Sequence, residues 1–409
     1  MDRANQVDAN DNAVTLGTLI TRQITGSSAH RITFADYMDL ALYHPQYGYY
    51  AATANQIGAQ GDFFTSPHLG ADFGELLAEQ FVQLWHIMQQ PKPFTLVEMG
   101  AGQGLLAADI LRYLRDCYPE FYACLDYIIV ERAAALIAEQ QRQLHDLQTS
   151  GLNLSWRTFA EIPPQSITGC FFSNELVDAL PVHQVMVESG QLREVYVTVA
   201  DPESTKDRLF AETTGDLSTP RLADYFKLID IDLLSSRYPP GYRSEVNLAA
   251  LDWMVTVADR LKQGYVITID YGYPSDRYYH PNRNEGTLQC YYNHAHHSDP
   301  YIYVGQQDIT AHVDFTALMR QGERCGLSTI GFTRQGLFLM ALGLGDRIAA
   351  LSQSQATDVQ TIQTTLRRRD ALHLLANPMG LGNFGVLIQG KGLETTELLQ
   401  GLAAEQIRF

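Results

Sequence analysis

The stretch TLVEMGAGQGLLA, residues 95–107, decides the fold that the sequence predicts. Its first part is a short apolar run typical of a buried strand, and an amphipathic helix is expected from Leu105 onward. Gly100, Gly102 and Gly104 therefore lie where a strand turns into a helix. Glycine adopts a positive φ at little cost and lets a ligand approach the backbone, while the helix N-terminus offers free N–H donors. This position is typical of a cofactor-binding loop.

The spacing of these glycines does not fit a dinucleotide-binding loop. A G-x-G-x-x-G loop would place its third glycine at position 105, which is a leucine. Glu98 ends the strand, and its carboxylate suits a ligand with an ammonium group better than one with a phosphate. S-adenosylmethionine (SAM) is such a ligand. We expect SAM to contact Glu98, Gly100, Ala101, Gly102, Gly104 and Leu105.

A second acidic residue, Glu131, follows the apolar run at 127–130, which is predicted to be the next strand. At the end of that strand a carboxylate can accept hydrogen bonds from both ribose hydroxyls of a nucleoside. Each signal alone has an ordinary alternative. The glycine loop can be a plain turn between a strand and a helix, and Glu131 can be the first acidic residue of the next helix. The two signals together favour SAM.

The composition excludes some functions. The chain has 409 residues and 45% hydrophobic content, which is ample for a core, and a net charge of -17. This charge argues against nucleic acid as a partner and permits a basic peptide, although a merely solvated acidic surface explains it as well. No apolar run approaches the roughly 20 residues that cross a bilayer, so no membrane insertion is expected.

The first residues and the cysteines bear on the compartment. The first dozen residues resemble neither a signal peptide nor a transit sequence, so we expect a cytoplasmic protein. The five cysteines form no C-x-x-C pair and are odd in number, which favours reduced thiols.

Alternating strand and helix patterns predict a doubly wound parallel sheet. The predicted strands are 95–99, 127–131, 152–156, 169–173, 264–270, 327–333 and 384–389. We expect an N-terminal helical region over 1–93 that packs on the cofactor site, an α/β domain over 94–392 and a C-terminal tail over 393–409. A β-hairpin and helical insertion over 182–240, with its turn at Ser189-Gly190, and a loop over 274–313 that is rich in Tyr and His interrupt the domain. Residues 1–30 are expected to be loosely attached, and Ser66 is expected to cap a helix that ends before Pro91.

Polar residues crowd the end of the fourth strand of this sheet. Asn174, Glu175 and Asp178 follow it, and ligands bind beyond the carboxyl ends of such strands. We expect Asn174 to contact SAM. Methyl transfer requires an aligned and desolvated acceptor, and a carboxylate can hold an arginine guanidinium by two hydrogen bonds. Glu175 is the first candidate for this catalytic role and Asp178 the second, although Asp178 can equally cap or orient the loop.

Further residues are candidates for contacts with the acceptor. Asp270 and Tyr271 follow the fifth strand, where Asp270 can also simply form a turn. Asp62 and Thr65 lie in GDFFTSP, a segment expected close to the cofactor. His312, in ITAHVDF, is predicted to contact the acceptor or to accept a proton, which makes it the third catalytic candidate.

Three histidines, His294, His296 and His297, invite a metal-binding interpretation. Zinc sites usually need further ligands at regular spacing, and no Cys or carboxylate repeat lies nearby. We therefore predict no metal.

Seven motifs occur in the order seen in MidA-like SAM-dependent methyltransferases, which the chain resembles over nearly its whole length. They are GYYA (48–51), GDFFTSP (61–67), VEMGAGQG (97–104), NELVDALPV (174–182), DYGYP (270–274), GTLQCYYNH (286–294) and DITAHVDF (308–315). The resemblance implies the class I SAM-dependent methyltransferase fold, which is Rossmann-like with seven strands, and SAM at residues 98–105 and Glu131. It also implies protein arginine N-methyltransferase activity on a subunit of respiratory complex I type.

Two other functions stay open at this point. One is a non-catalytic SAM-binding assembly factor, and the other is a small-molecule O-methyltransferase, which would want a closed apolar pocket with a catalytic Lys, His or metal. The intact glycine loop with both acidic residues favours catalysis, and the acidic residues at the strand ends favour an arginine acceptor. A homodimer is compatible with the sequence.

Overall fold

The computed structural model describes residues 5–52, 65–201, 208–293, 295–353, 358–393 and 397–403. The candidate residue Asp62 lies outside these ranges. The strands are β1 (Ile32–Thr33), β2 (Phe94–Met99), β3 (Leu125–Val130), β4 (Asn153–Arg157), β5 (Ile167–Asn174), β6 (His183–Glu188), β7 (Gln191–Val199), β8 (Phe210–Gly215), β9 (Arg243–Val246), β10 (Leu261–Asp270), β11 (Gly272–Tyr273), β12 (Gln289–Tyr292), β13 (Ala295–His297), β14 (Asp308–Thr310), β15 (Val313–Asp314), β16 (Ser328–Arg334) and β17 (Gly385–Lys391). The α-helices are α1 (Asn5–Gly26), α2 (Phe34–Tyr43), α3 (Tyr49–Ala52), α4 (Asp72–Ile87), α5 (Leu105–Cys117), α6 (Pro119–Tyr122), α7 (Ala134–Gln143), α8 (His145–Thr149), α9 (Arg221–Ile229), α10 (Leu248–Arg260), α11 (Ser275–Tyr278), α12 (Phe315–Arg324), α13 (Gln335–Ala341), α14 (Leu344–Ser352) and α15 (Val359–Ala376).

The chain forms two compact units. The sheet unit comprises 64–176, 254–272 and 322–409, and the insertion unit comprises 1–63, 177–253 and 273–321. The predicted boundary at residue 93 is therefore wrong, because 64–93 cluster with the sheet unit and 1–63 cluster with the two insertions. A sequence pattern shows where elements begin and end, but it does not show which distant segments share a core.

The sheet unit is built on a seven-stranded sheet with the order β16-β17-β10-β5-β2-β3-β4. The doubly wound fold is confirmed. Strands β2, β3, β4, β5 and β10 are parallel, but β17 is antiparallel to both of its neighbours, so the expectation of a wholly parallel sheet is wrong at that strand. A strand buried on both faces reads as a continuous apolar run in either direction, so the sequence does not reveal its polarity.

The core of the sheet unit forms where helices pack against the sheet. All six residues of β2 are buried, and α5 turns Leu106, Ile110, Leu111 and Leu114 toward the core at helical spacing. Each such side chain contributes about 1.5–3 kcal/mol when fully buried, so this packing fixes the glycine loop between β2 and α5.

Two N-terminal expectations need correction. Residues 1–30 are not loosely attached throughout, because α1 buries Leu16, Ile20 and Ile24 at a spacing of four residues. The helix expected from Ser66 is divided into a 3-10 turn over Ser66–Leu69 and helix α4, which begins at Asp72. Gly70, with a φ of 125°, separates them.

The insertion unit contains a second sheet, in which strands β1, β7, β6 and β9 lie in this order and β8 pairs with β7. The predicted hairpin is present as β6 and β7, which are antiparallel, with Ser189 and Gly190 at φ 51° and 75° in the turn. The segment 274–313 was expected to lack periodic structure, yet it contributes a three-stranded sheet of order β13-β12-β14. Its short strands give too few alternations to be recognised in sequence.

Candidate active site

The glycine loop has the conformation that only glycine adopts easily. Gly100, Gly102 and Gly104 have φ of 73°, 53° and 81°. The loop is held by the Gly100 N–H, which donates to Val130 O at 3.0 Å, and by the Gly104 N–H, which donates to Ala101 O at 2.8 Å. A Cβ built on Gly102 would meet no atom within 4 Å. The backbone at Gly102 is therefore open to a ligand.

Gln140, on α7, was missed by the sequence analysis. Its buried side chain donates from Nε2 to Gly102 O at 2.8 Å and to Glu131 Oε2 at 3.3 Å, and its Oε1 accepts from Trp156 Nε1 at 2.9 Å. One amide therefore ties the glycine loop to the acidic residue of the next strand. The run EQQRQ at 139–143 contains three glutamines, and only the packing shows which one turns inward.

Glu131 lies between β3 and α7, where the sequence placed it. Its Oε1 accepts from the N–H groups of Arg132 at 2.7 Å and Ala133 at 3.0 Å. Burial raises the pKa of Glu131, and these hydrogen bonds oppose the rise. One carboxylate oxygen therefore accepts from the two N–H groups that directly precede α7, and the other accepts from Gln140 Nε2. The contact with a ribose remains a prediction.

Glu98 is 3% exposed, and its Oε2 accepts from the Tyr127 hydroxyl at 2.6 Å. Burial raises the pKa of Glu98 to about 7, the Tyr127 hydrogen bond opposes the rise, and the charge of Glu131 adds to it. Near neutral pH this carboxyl is poised between its two protonation states, and a cationic ligand would favour the ionised one.

Glu175 lies at the end of β5 and has a φ of 54°, the left-handed region that a residue other than glycine rarely enters. Its N–H donates to Ile269 O at 2.9 Å, and its Oε1 accepts from Asn174 Nδ2 at 3.0 Å. This backbone conformation costs about 1–2 kcal/mol and is common at active sites. Nothing in the sequence indicated it.

Three buried polar atoms near Glu175 have no hydrogen-bond partner among the described residues. Ser173 Oγ, Asn174 Oδ1 and Thr268 Oγ1 are buried and make no hydrogen bond within the part of the chain that the structure describes. Thr268 and Ser173 are direct neighbours across β10 and β5. Most buried polar groups in proteins are paired, so such a group of unpaired atoms is expected where a ligand or water completes them.

Asp270 and Tyr271 follow β10. Asp270 is fully buried, and its Oδ1 accepts from the N–H of Tyr271 at 2.8 Å, which is the turn-forming geometry weighed as the alternative. Arg334, another residue missed in the sequence, holds this turn by donating from Nη1 to Gly272 O at 3.2 Å and to Asn383 O at 2.9 Å.

Asp62 and Thr65 are the acceptor contacts predicted in GDFFTSP. Asp62 lies outside the described residues. Thr65 precedes the 3-10 turn, and its Oγ1 lies 2.8 Å from His68 Nδ1, within a capping box. The Thr65 hydroxyl therefore has a local structural partner.

Asp178 and His312 belong to the insertion unit, whereas Glu175 belongs to the sheet unit. Within the insertion unit the two lie near one another, because Asp178 O accepts from the N–H of Ala311 at 2.9 Å. Burial, with the charge of Arg283, lowers the pKa of His312 to about 4. The imidazole is neutral at pH 7 and accepts a proton only weakly.

Two of the three clustered histidines lie in the described part of the chain. His296 and His297 lie in β13 and at its end, and His294 lies outside the described residues. Within the described ranges, no three His, Cys, Asp or Glu side chains are grouped to hold a metal ion.

No helix in the described ranges is long and apolar enough to cross a membrane.

Known proteins are similar to nearly the whole chain. Residues 76–333 match the sequence pattern of a family of S-adenosyl-L-methionine-dependent methyltransferases. The rat protein arginine methyltransferase NDUFAF7, mitochondrial, is 30% identical over 372 residues, which cover 86% of this chain and 79% of the rat protein. The Drosophila melanogaster homolog is 29% identical with the same coverage.

A solved structure agrees with these sequence matches. A crystal structure of a protein from Burkholderia thailandensis, bound to S-adenosyl-homocysteine, superposes with a TM-score of 0.82 at 30% identity, covering 98% of this chain and 97% of that one. S-adenosyl-homocysteine is what remains of SAM after methyl transfer. The predicted cofactor is thus confirmed as SAM.

Proposed function

Because the chain belongs to the family of S-adenosyl-L-methionine-dependent methyltransferases, we propose that it transfers the methyl group of SAM to an arginine side chain of a protein acceptor. The single observation that carries the choice of acceptor is Glu175, a carboxylate held in a strained backbone conformation at the end of β5. The names of the rat and Drosophila relatives support it.

The loop between β2 and α5 fits SAM. The open backbone at Gly102 leaves room for the ligand. Gly100, Ala101, Gly104 and Leu105 flank Gly102 in the sequence and remain proposed cofactor contacts. We assign Glu98 to the ammonium group, Glu131 to the ribose hydroxyls and Asn174 to a further cofactor contact. SAM supplies an electrophilic methyl group on its sulfonium, so the protein needs no nucleophile of its own.

We assign Glu175 to the acceptor. A carboxylate that pairs with two N–H groups of a guanidinium fixes its orientation and polarises the remaining nitrogen for attack. Asp270, Tyr271, Thr65 and Asp62 remain proposed acceptor contacts, and Asp178 remains a second acidic candidate. We assign His312 to contact rather than to proton transfer, because a group with a pKa of about 4 is a weak base at neutral pH.

Of the finer proposals, only the acceptor rests on the family resemblance. We propose a subunit of respiratory complex I type as the acceptor, the cytoplasm as the location and a homodimer as one candidate assembly. None of these is needed for the assignment of the cofactor loop.

Incubation with SAM labelled in its methyl group and a lysate of the host, followed by mass spectrometry of the labelled product, tests the proposal. We expect one labelled protein with the label on arginine, and at least about tenfold less label with the Glu175→Gln variant. Label in the small-molecule fraction would favour an O-methyltransferase instead. No label in any fraction, from protein that binds SAM, would favour a non-catalytic assembly factor.

A further inference from the structure

Two guanidinium groups share one tyrosine ring in the insertion unit. The Cζ atoms of Arg277 and Arg283 lie 4.4 Å and 4.5 Å from the ring centroid of Tyr273. Since both carbons are this close to one point, they are at most about 9 Å apart. Arg277 is exposed and Arg283 is half-buried, so solvent reaches this pair.

Neither guanidinium is neutralised by a carboxylate among the described residues. Within the described ranges, no carboxylate lies within ion-pair distance of Arg277 or Arg283, although Arg208, Arg221 and Arg243 of the same unit pair with Asp299, Asp252 and Glu212. Arg283 Nη1 does donate to a carbonyl, Arg277 O, at 3.4 Å, but this bond leaves its charge uncompensated. Two like charges held this close repel each other and attract an anion, even on a chain with a net charge of -17.

The pair lies beside a residue already proposed to contact the acceptor. The rings of Tyr273 and His312 are edge to face, with centroids 5.3 Å apart. The backbone N–H of His312 donates to Thr287 Oγ1 at 3.1 Å, and the Thr287 hydroxyl donates to the buried carboxyl of Glu245 at 2.9 Å. The backbone of His312 is thus held by Thr287, while the ring of Tyr273, which carries the two arginines, lies next to the His312 ring.

We propose that Arg277 and Arg283 form a docking site for a carboxylate side chain, Asp or Glu, of the acceptor polypeptide. The planar fork of each guanidinium matches a carboxylate and can bind it through two hydrogen bonds. The proposal rests on the proposed function in one respect, that the ligand is part of a protein. It predicts that acceptors carry an acidic residue that this pair binds.

Binding of a capped, fluorescent hexaglutamate peptide to the full chain tests the docking site without any methyl transfer. Anisotropy should show binding of this peptide and none of a hexaglutamine peptide. The double variant Arg277→Gln/Arg283→Gln should weaken binding at least about tenfold, because two charge-assisted contacts are lost. Arg277→Lys/Arg283→Lys keeps the charges and should bind more tightly than the glutamine pair but less tightly than wild type.

Arg237 provides the matched control, since it is also exposed and lies 5.0 Å from a tyrosine ring, that of Tyr238. Arg237→Gln should change the affinity less than about twofold. The docking site is refuted if wild type does not bind hexaglutamate, if the glutamine pair binds as well as wild type, or if Arg237→Gln loses as much. A protein that binds the peptide yet methylates no arginine would reject the proposed function alone, and the reverse result would reject the docking site alone.

Discussion

At the ends of β2 and β3, both polar atoms of the Gln140 side chain are engaged in hydrogen bonds, to Gly102, Glu131 and Trp156. At the ends of β5 and β10, in the same sheet, three buried polar atoms have no partner within the described residues. The two regions also differ in the residue type that adopts a positive φ. The positive φ angles of the first region fall on glycines, whereas that of the second falls on Glu175.

This difference separates two tasks. A site that binds a constant cofactor benefits from a loop fixed before the ligand arrives, because less conformational freedom is then lost on binding. A site that acts on the acceptor keeps strained and incompletely paired groups whose interactions are completed by the ligand. The β2–β3 region therefore fits the donor, and the β5–β10 region fits the reacting end of the acceptor.

The largest effect is expected from Gly102→Val in the β2–β3 region. The valine side chain would fill the open space at the loop and would strain a backbone with a φ of 53°. We expect SAM affinity, measured by calorimetry, to fall at least about 100-fold. Gly151→Val is the control, because Gly151 also has a positive φ, 95°, and open space around its Cβ. Equal SAM binding by both variants would show that the loop does not hold the cofactor.

The second largest effect is expected from Glu175 in the β5–β10 region. Glu175→Gln keeps the shape of the side chain but removes its charge, and we expect methyl transfer to fall at least about tenfold while SAM affinity changes less than about threefold. Glu175→Gly should also lower transfer at least about tenfold, yet raise the melting temperature, because glycine adopts a φ of 54° without strain.

Asp230, with a φ of 59° at the C-cap of α9, is the control for the strain of Glu175. Asp230→Gly should stabilise the protein to a similar degree and leave transfer unchanged. If Glu175→Gln instead lowered the melting temperature, SAM affinity and transfer together, Glu175 would be a brace of the loop rather than a clamp for the acceptor.

The two regions were not equally predictable from sequence. The glycine loop is a local signal, since spacing, a preceding apolar run and a following amphipathic helix all fall within thirteen residues, 95–107. The hairpin turn at Ser189-Gly190 was also a local signal, and it is present. Local patterns have a physical cause within a few residues, so sequence alone carries them.

The features that were missed depend on distant contacts. Gln140 matters only because Gly102 and Trp156 converge on it, and no feature of a polar helix shows that convergence. The left-handed conformation of Glu175 occurs together with a hydrogen bond from its N–H to Ile269 O on a neighbouring strand, which lies far away in the chain. Likewise the direction of β17 and the division into two units depend on which segments pack together.

A smaller effect on the donor is expected from Gln140→Met, which keeps the volume but removes hydrogen bonds to the loop, Glu131 and Trp156. Unpaired buried groups cost about 1–3 kcal/mol each, and part of that cost should appear as a loss of SAM affinity of about five- to tenfold. Calorimetry measures the affinity, and indole fluorescence should report the altered surroundings of Trp156. Gln141→Met, one residue along the helix and exposed, should change neither quantity.

The smallest effect is a dependence of SAM affinity on pH, which arises at Glu98. Burial raises the pKa of this carboxyl to about 7, so lowering the pH through 7 protonates it in the free protein. A cationic ligand favours the ionised form, and affinity should therefore fall as the pH falls. Between pH 7.5 and 6.5 the dissociation constant should rise about threefold if only the ionised form binds.

Two variants sharpen this pH dependence. The ammonium group of SAM also titrates near neutral pH, but it does so equally with the Glu98→Gln variant, so the ratio of the two dissociation constants isolates Glu98. Tyr127→Phe removes the hydrogen bond that opposes the raised pKa, and its midpoint should lie at higher pH than that of wild type. An unchanged ratio between pH 6.5 and 7.5 would mean that the Glu98 carboxylate does not contact the cationic part of SAM. The β2–β3 region would then bind the cofactor through its backbone and Glu131 alone.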